Sequence, residues 1–351
     1  MPFRDITGHR RLLGLVARSI RRGTLPPSLI LAGPDGVGKR LLAFATAQAL
    51  NCQHPQSSET GEIDACGTCA SCSKIARGVH PDVLLVEPGD TGTIKIDQVR
   101  DVIDRAGYRP FEGRRRVVII DQADALVPQA QNALLKTLEE PPSASLFFLV
   151  TARPDALLPT VISRCPRLRF RRLDADDVAT ALIRQGCGEA EARATAAAAD
   201  GSVGRALAAS VKDLVEARSV AMRVLAQAAD GDDVRRRLDS TKFLLAGTGA
   251  GGAVDREQLA VNLRAMASLL RDAALQSAYA ETADGRRLGG GSSSRATVAL
   301  ANSDISQDIK RLATFRGERG VRAFTAVDQA LVALERNAGV KTVADWLVIQ
   351  L

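Results

Sequence analysis

The chain has 351 residues, of which 46% are hydrophobic and 25% charged, so it is long enough for two or three globular units, each with its own core. No apolar run reaches the ~18 residues of a membrane span, and the charged N-terminal segment lacks the apolar stretch of a secretory signal. We therefore expect a cytoplasmic protein with no membrane partner. The 47 Lys and Arg residues against 40 Asp and Glu give a net charge of +7. This charge is compatible with a polyanionic partner such as DNA, although a modest arginine excess often reflects composition alone.

Short apolar strands alternate with helical segments over residues 1–172. Continuous apolar runs, typical of a parallel sheet covered on both faces, predict buried strands at 28–32, 83–86, 116–120 and 146–150. Helical spacing predicts helices at 39–50, 97–106 and 128–140. This alternation indicates an α/β domain built from right-handed βαβ units, with its ligand site at the carboxyl ends of the strands.

From residue 173 onward the sequence has a helical period. Short helical segments predict a small helical lid domain over residues 173–210. The remainder, 211–351, is rich in Ala, Leu and Arg and predicts an all-α domain. Two Gly-rich stretches, 246–253 and 285–294, interrupt it, and the second is typical of a flexible surface loop.

The segment L-A-G-P-D-G-V-G-K-R connects a predicted strand to a predicted helix, which is the context that a phosphate-binding loop requires. In such a loop the backbone N–H groups and the lysine hold the phosphates, and a following Ser or Thr ligates Mg²⁺. The candidate phosphate-binding residues are Gly33, Gly36, Gly38, Lys39 and Arg40. Arg40 stands at the Mg²⁺-ligand position and cannot ligate a cation, so we expect impaired catalysis, while nucleotide binding stays open. The alternative is an ordinary Gly-rich turn between a strand and a helix.

A second motif, V-V-I-I-D-Q-A-D, ends a predicted strand where a nucleotide-hydrolysing enzyme carries acidic residues. Asp121 can hold the water shell of a metal ion or, alternatively, cap the turn that follows. The next position usually holds the glutamate that activates water, but here it is Gln122, and an amide is not a general base at neutral pH. Thr151, at the end of the last predicted strand, completes the candidate nucleotide-binding set. Two positions are thus defective for hydrolysis.

Four of the six cysteines, Cys52, Cys66, Cys69 and Cys72, fall in one stretch with the spacing C-x13-C-x2-C-x2-C. In a cytoplasmic chain, where thiols are kept reduced, a metal site is favoured over disulfides. Four thiolates suit a closed tetrahedral Zn²⁺ site, which would have a structural role because no coordination position stays open for chemistry. Free thiols and an Fe–S cluster are the alternatives, and His54 is a candidate substitute for Cys52.

The segment P-T-V-I-S-R-C-P follows the last predicted strand and contains Ser163, Arg164 and Cys165. The planar, permanently charged guanidinium of Arg164 suits a γ-phosphate, and its position at the edge of a nucleotide domain would allow it to reach a neighbouring subunit. A surface arginine on a loop is the alternative from the sequence alone. Cys165 by itself is typical of a small buried hydrophobic residue.

Together these motifs resemble the AAA+ clamp-loader family of bacterial DNA polymerase III. The matching segments, in order, are F-R-D-I-T-G-H, L-A-G-P-D-G-V-G-K, the four-cysteine insertion, V-V-I-I-D-Q-A-D, N-A-L-L-K-T-L-E-E-P-P and L-P-T-V-I-S-R-C. They cover the first half of the chain, and the last two are specific to these loaders. The resemblance implies an AAA+ nucleotide-binding domain at 1–172 with a zinc insertion at 52–72, then a helical lid at 173–210 and an all-α collar at 211–351 that holds an oligomer together.

The resemblance also implies partners. Loaders of this family are pentamers that bind ATP and Mg²⁺ at subunit interfaces, open the ring-shaped sliding clamp and place it on primed DNA for the polymerase core. Their motor subunits hydrolyse ATP, and a stator subunit contributes the arginine of S-R-C to its neighbour's site. Carried over, Arg164, flanked by Ser163 and Cys165, is an arginine finger acting in trans, and the partners are motor ATPase and delta-like subunits, the clamp, the polymerase core and primed DNA.

Departures from the family pattern favour the stator. Arg40 and Gln122 stand where the motor has Thr and Glu, so we expect an accessory polymerase subunit without ATPase activity of its own; an active motor subunit is the alternative. The lid segment G-S-V-G-R-A-L puts Gly204 where the family motif has arginine, which implies loss of γ-phosphate sensing. A third interpretation is a zinc-bearing DNA-binding protein that uses the arginine triplets at 114–116 and 235–237.

Overall fold

The computed structural model describes residues 1–57, 62–89, 91–208, 211–229, 234–246, 252–284, 306–335 and 338–351. The chain divides into two compact units: Met1–Leu173 with Ser202–Gly204, and Asp174–Gly201 with Arg205–Leu351. The division into three domains expected from the sequence stays a prediction. The Gly-rich stretch at 285–294 lies outside the described residues, as does most of the stretch at 246–253.

The first unit alternates helices and strands. In chain order they are α1 (Arg10–Arg22), β1 (Ser28–Ala32), α2 (Lys39–Asn51), β2 (Gln56–Ser57), β3 (Ile63–Asp64), α3 (Ala70–Ala76), β4 (Val83–Val86), α4 (Ile96–Gly107), β5 (Arg116–Ile120), α5 (Pro128–Glu139), β6 (Ser145–Thr151), α6 (Pro159–Ile162) and β7 (Arg167–Arg169). Three predicted strands have the expected bounds, and the fourth extends one residue further at each end.

Five of these strands form one parallel sheet in the order β4-β5-β6-β1-β7, with Ile30 of β1 opposite Leu149 of β6. The strands β2 and β3 pair separately as a short antiparallel ribbon. The edge strand β7, which the sequence did not predict, extends the sheet beyond β1. The predicted fold class, a parallel sheet with flanking helices, is confirmed for this unit.

Both faces of the sheet are buried, because successive side chains of each strand point to opposite faces. On one face, Ile30 and Phe147 pack in a core cluster that includes residues of α4 and α5. On the other face, Leu31 and Phe148 pack in a cluster that includes residues of α1 and α2. This double burial explains the unbroken apolar runs. It also leaves the carboxyl ends of the parallel strands at one edge, where the glycine loop and the acidic motif lie.

The second unit is helical throughout the part of it that the structure describes. Its helices are α7 (Ala175–Arg184), α8 (Glu189–Ala198), α9 (Val203–Ala208, whose first residues belong to the first unit), α10 (Val211–Ala229), α11 (Val234–Leu244), α12 (Ala253–Asp284), α13 (Ser306–Ile309), α14 (Gly317–Glu335) and α15 (Val340–Gln350). The larger helices share one apolar core, centred on buried residues such as Leu263, Phe315 and Leu347. Among the described residues, no helix combines the length and apolar character needed to cross a membrane.

Candidate functional site

The glycine loop runs from the end of β1 to the start of α2, as predicted. The side chain of Lys39 is buried, and its Nζ donates hydrogen bonds to the carbonyl oxygens of Gly33 at 2.5 Å and Pro34 at 2.7 Å. Burial lowers the pKa of Lys39, and the nearby Asp35 carboxylate, 3.5 Å from Nζ, opposes that shift. The ammonium group that would contact phosphate in a nucleotide complex is therefore bonded to the carbonyls of its own loop.

The structure brings two predicted residues together, because Arg40 donates from Nη1 to Oδ2 of Asp121 at 3.0 Å. The same nitrogen also bonds to Glu87, which the sequence reasoning missed. Glu87 directly follows β4 and Asp121 directly follows β5, and these strands pair in parallel with Val86 opposite Ile120. The signal that could have identified Glu87 was its position directly after a predicted strand, the same position that Asp121 has after β5. A guanidinium thus lies between two carboxylates at the strand ends, where a nucleotide enzyme would hold Mg²⁺.

Gln122 and Thr151 are both engaged with nearby carboxylates. Gln122 has a left-handed backbone conformation, φ 50°, and its N–H donates to Oδ1 of Asp121 at 3.0 Å. Thr151 is buried at the end of β6, and its Oγ1 donates to Oδ1 of Asp124 at 2.7 Å. Asp124 also accepts from Nε of Arg153 at 3.1 Å. Asp121 and Asp124, the two carboxylates that follow β5, are therefore both paired with groups of this chain.

Residues Ser202–Gly204 lie against the glycine loop within the first unit. Ser202 Oγ donates to the carbonyl of Asp35 at 2.8 Å, and the N–H of Gly204 donates to the carbonyl of Gly36 at 2.9 Å. A Cβ atom at Gly36, where φ is 71°, would come within 2.3 Å of Ser202 Oγ and 2.9 Å of Gly204 Cα. A Cβ atom at Gly204, predicted as a departure from the family pattern, would come within 2.7 Å of Gly36 Cα, so glycine at this position permits the close backbone approach.

Arg164 follows α6 and is bonded to residues of its own chain. Its Nε donates to Oε1 of Glu139 at 2.5 Å, and its Nη1 donates to the carbonyl of Thr160 at 2.9 Å. Ser163 Oγ also bonds to the Thr160 carbonyl, at 3.1 Å. The Arg164 and Glu139 side chains are 34% and 46% exposed, so this ion pair is solvent-accessible and contributes little to stability. Cys165 is buried in the core cluster beside α5.

The four clustered cysteines come together as predicted. Their sulfur atoms all lie within 4.8 Å of one another. A tetrahedral Zn²⁺ with bonds of about 2.3 Å places its sulfur ligands roughly 3.8 Å apart, and Sγ of Cys52 lies 4.0 Å from Sγ of Cys69. The N–H groups of Cys69 and Thr68 lower the pKa of Cys66 to about 5, which favours the thiolate. The donor set fits a closed structural metal site, in which His54, an exposed residue, has no part.

The first unit is an α/β domain whose parallel sheet has a glycine loop after β1 and acidic residues after β4 and β5, as the resemblance to a nucleotide-binding domain predicted. Residues 8–174, just under half of the chain, match the family model described as "DNA polymerase III, delta subunit".

Curated relatives come from DNA polymerase III. The chain is 42% identical over 137 residues to DNA polymerase III subunit delta' of Pseudomonas aeruginosa. The aligned region covers 39% of this chain and 40% of that relative. It is 35% identical over 177 residues to subunit tau of Escherichia coli, covering 50% of this chain and 26% of the relative. Among solved structures, a gamma subunit-related protein from Thermotoga maritima is 20% identical with a TM-score of 0.41, over 96% of this chain and 97% of that one. The chain thus spans less than half the length of the curated relatives named here.

Proposed function

We propose that this chain is the delta-prime-type stator subunit of a DNA polymerase III clamp loader. In this role it does not hydrolyse ATP itself, and it supplies Arg164 in trans to the ATP site of a neighbouring motor subunit. It would act in the cytoplasm with motor and delta-like subunits, and through the complex with the sliding clamp, the polymerase core and primed DNA. The observation that carries the proposal is the position of Arg40 between Asp121 and Glu87.

Electrostatics supports the absence of hydrolysis. Mg²⁺ requires oxygen ligands, and a phosphate loop normally supplies one from a Ser or Thr hydroxyl. Here the corresponding side chain is a permanent cation already paired with Asp121 at 3.0 Å. A magnesium ion would have to displace the guanidinium from both carboxylates while being repelled by its charge. With Gln122 in place of the water-activating acid, neither half of the hydrolytic machinery remains.

The geometry of Arg164 supports the second half of the proposal. The guanidinium lies beyond the last turn of α6, and its contacts to Glu139 and Thr160 orient it without burying it. An exposed ion pair of this kind contributes about 0–1 kcal/mol. A neighbour's phosphate, with more charge and bidentate oxygens, would therefore compete well with Glu139.

The test uses the assembled loader, reconstituted with its motor and delta-like subunits. Arg164→Ala should reduce ATP turnover at the adjoining site by about 10³-fold or more, as for other arginine fingers. Arg167→Ala removes an exposed arginine three residues away and should leave turnover unchanged. Sizing of each complex establishes that assembly is intact.

Two results would overturn the proposal. Normal turnover at every site of a correctly assembled Arg164→Ala complex would remove the finger role. Steady ATP hydrolysis by the isolated chain would instead assign it to the motor subunits, the alternative that the tau relative represents.

A further inference from the structure

The loop between α4 and β5, residues 108–115, which we call the braced loop, exposes two aromatic rings. Tyr108 is 72% exposed and Phe111 is 82% exposed, and these are the two most exposed large apolar side chains in the part of the chain that the structure describes. Aromatic residues make up only 3% of the sequence. Single exposed apolar residues are common on protein surfaces, so exposure alone does not indicate a binding site. The stronger evidence is the set of buried side chains that hold the loop backbone.

Two buried side chains bind the amide groups of this loop. The carboxylate of Asp82, which is fully buried, accepts hydrogen bonds from the N–H groups of residues 111–113 at 2.7–2.9 Å. Asn51, also buried, accepts from the N–H groups of residues 114–115 at 2.8 and 2.9 Å. Five consecutive backbone donors are thus satisfied from below by side chains of other elements.

A third buried side chain binds the carbonyl groups. Arg116 donates to the carbonyl oxygens of Tyr108 and Arg109, each at 3.1 Å, and forms a buried ion pair with Asp82 at 2.8 Å. Burying an ion pair is costly unless its remaining donors and acceptors are satisfied. Here the loop backbone satisfies most of them, although the buried Nε of Arg116 has no hydrogen-bond partner. The loop is therefore pre-organised, which reduces the entropy lost when a partner binds.

The charged groups of the braced loop are predominantly positive. Arg109 and Arg114 are exposed, and within the described residues their guanidinium groups have no carboxylate partner. Glu112, the single acidic residue of the loop, is bonded to Lys74 at 2.6 Å and lies 3.5 Å from His80. The surface presents exposed rings and unpaired guanidinium groups on a rigid backbone.

We propose that the braced loop is a binding site for single-stranded nucleic acid, in which Tyr108 and Phe111 stack on bases while Arg109 and Arg114 contact phosphates. Base faces and phosphates are the two chemistries that such a surface recognises together. An apolar protein pocket fits less well, because no exposed aliphatic side chain of the loop joins the rings into a continuous apolar patch. The site goes beyond the stator role, and it is testable without the loader because binding is a property of the isolated chain.

The test measures fluorescence anisotropy of a labelled oligothymidylate of about 16 nucleotides, with a duplex of equal length for comparison. The pair Tyr108→Leu and Phe111→Leu, which keeps apolar bulk but removes both rings, should weaken binding by about 5- to 150-fold per ring. The exchanged pair Tyr108→Phe and Phe111→Tyr keeps both rings and should bind like the original chain. The duplex should bind more weakly than the single strand, because its bases are not free to stack.

The arginines are tested through salt dependence. The pair Arg109→Ala and Arg114→Ala should lower the slope of log affinity against log salt by about 0.7 per side chain. Arg193→Ala, an exposed arginine of α8, should leave the slope unchanged. The proposal is overturned if the leucine pair binds the single strand as tightly as the original chain, if duplex is bound equally well, or if the original chain does not bind. The last result would point to a protein partner for the rings. None of these results bears on Arg164, whose assay is separate.

Discussion

Replacing Asp82 by asparagine tests the buried support of the braced loop. An asparagine keeps the shape of the side chain and part of its hydrogen bonding to residues 111–113. It removes the charge, however, and leaves the Arg116 guanidinium, whose side chain is 9% exposed, without its counter-ion. Removing one partner of a buried ion pair costs about 3–5 kcal/mol. We expect a loss near the lower value at neutral pH, because the amide oxygen still accepts hydrogen bonds.

The pKa of Asp82 gives the pH dependence of this effect. Burial by itself would raise it, but the N–H groups of Phe111 and Glu112 and the Arg116 guanidinium outweigh burial and lower the pKa from the ordinary 3.8 to about 2. That difference corresponds to about 2 kcal/mol of stabilisation by the ionised form. Because the folded-state pKa is the lower one, this stabilisation is present above about pH 4 and is lost as pH falls towards about 2.

The assay is the free energy of unfolding from urea titrations of the original chain and of Asp82→Asn between about pH 2 and pH 7. Hydrogen exchange at the amides of residues 111–113 reports the same change locally. The two curves should differ most at neutral pH and converge in acid. Asp101→Asn, at an exposed carboxylate 3.7 Å from Arg105, should change stability by less than about 0.5 kcal/mol. Equal stability at pH 7, or a difference that stays constant into acid, would refute the reasoning.

Two further predictions concern the metal site and the glycine loop. Elemental analysis should find about one zinc per purified chain, which Cys69→Ser should abolish and Cys187→Ser should not; a chain without stoichiometric metal would contradict the site. Gly36→Ala should destabilise the first unit by about 1–3 kcal/mol more than Gly78→Ala. Both glycines have a φ of 71°, but only at Gly36 would the new methyl group meet Ser202. Equal losses of stability in thermal denaturation would mean that the contact with Ser202 does not limit the residue at position 36.

The strands and the candidate site differed in how far the sequence could predict them. Strand β1 was predicted residue for residue because the four consecutive apolar residues after Ser28 fit a strand buried on both faces. The edge strand β7 was missed because it is only three residues long and its arginines at 167 and 169 are exposed. Its sequence therefore lacks the apolar run that identified the buried strands. Pairing partners far apart in sequence were beyond prediction as well: Arg40 and Glu87 are 47 residues apart, and Arg164 and Glu139 are 25 apart.

The braced loop shows a second limit. One interpretation of the sequence used the triplet at 114–116 as a basic surface, although the buried strand predicted at 116–120 begins with Arg116. In the structure Arg116 is buried and pairs with Asp82, while its two neighbours are exposed. Strand alternation alone does not distinguish these roles at a loop-to-strand junction. The deciding feature is the carboxylate of Asp82, the residue directly before β4. It meets Arg116 only because β4 and β5 pair in the sheet, and the sequence does not reveal that pairing.

The cation at the ends of β4 and β5 is covalently attached to the chain. A bound metal ion exchanges with solvent, and its occupancy follows the nucleotide that it accompanies. The Arg40 guanidinium does neither, and it keeps its proton at any pH that a folded protein tolerates. Asp121 and Glu87 therefore experience the same counter-charge at all times, so in the proposed loader this corner of the subunit would remain invariant while adjoining sites fill and empty.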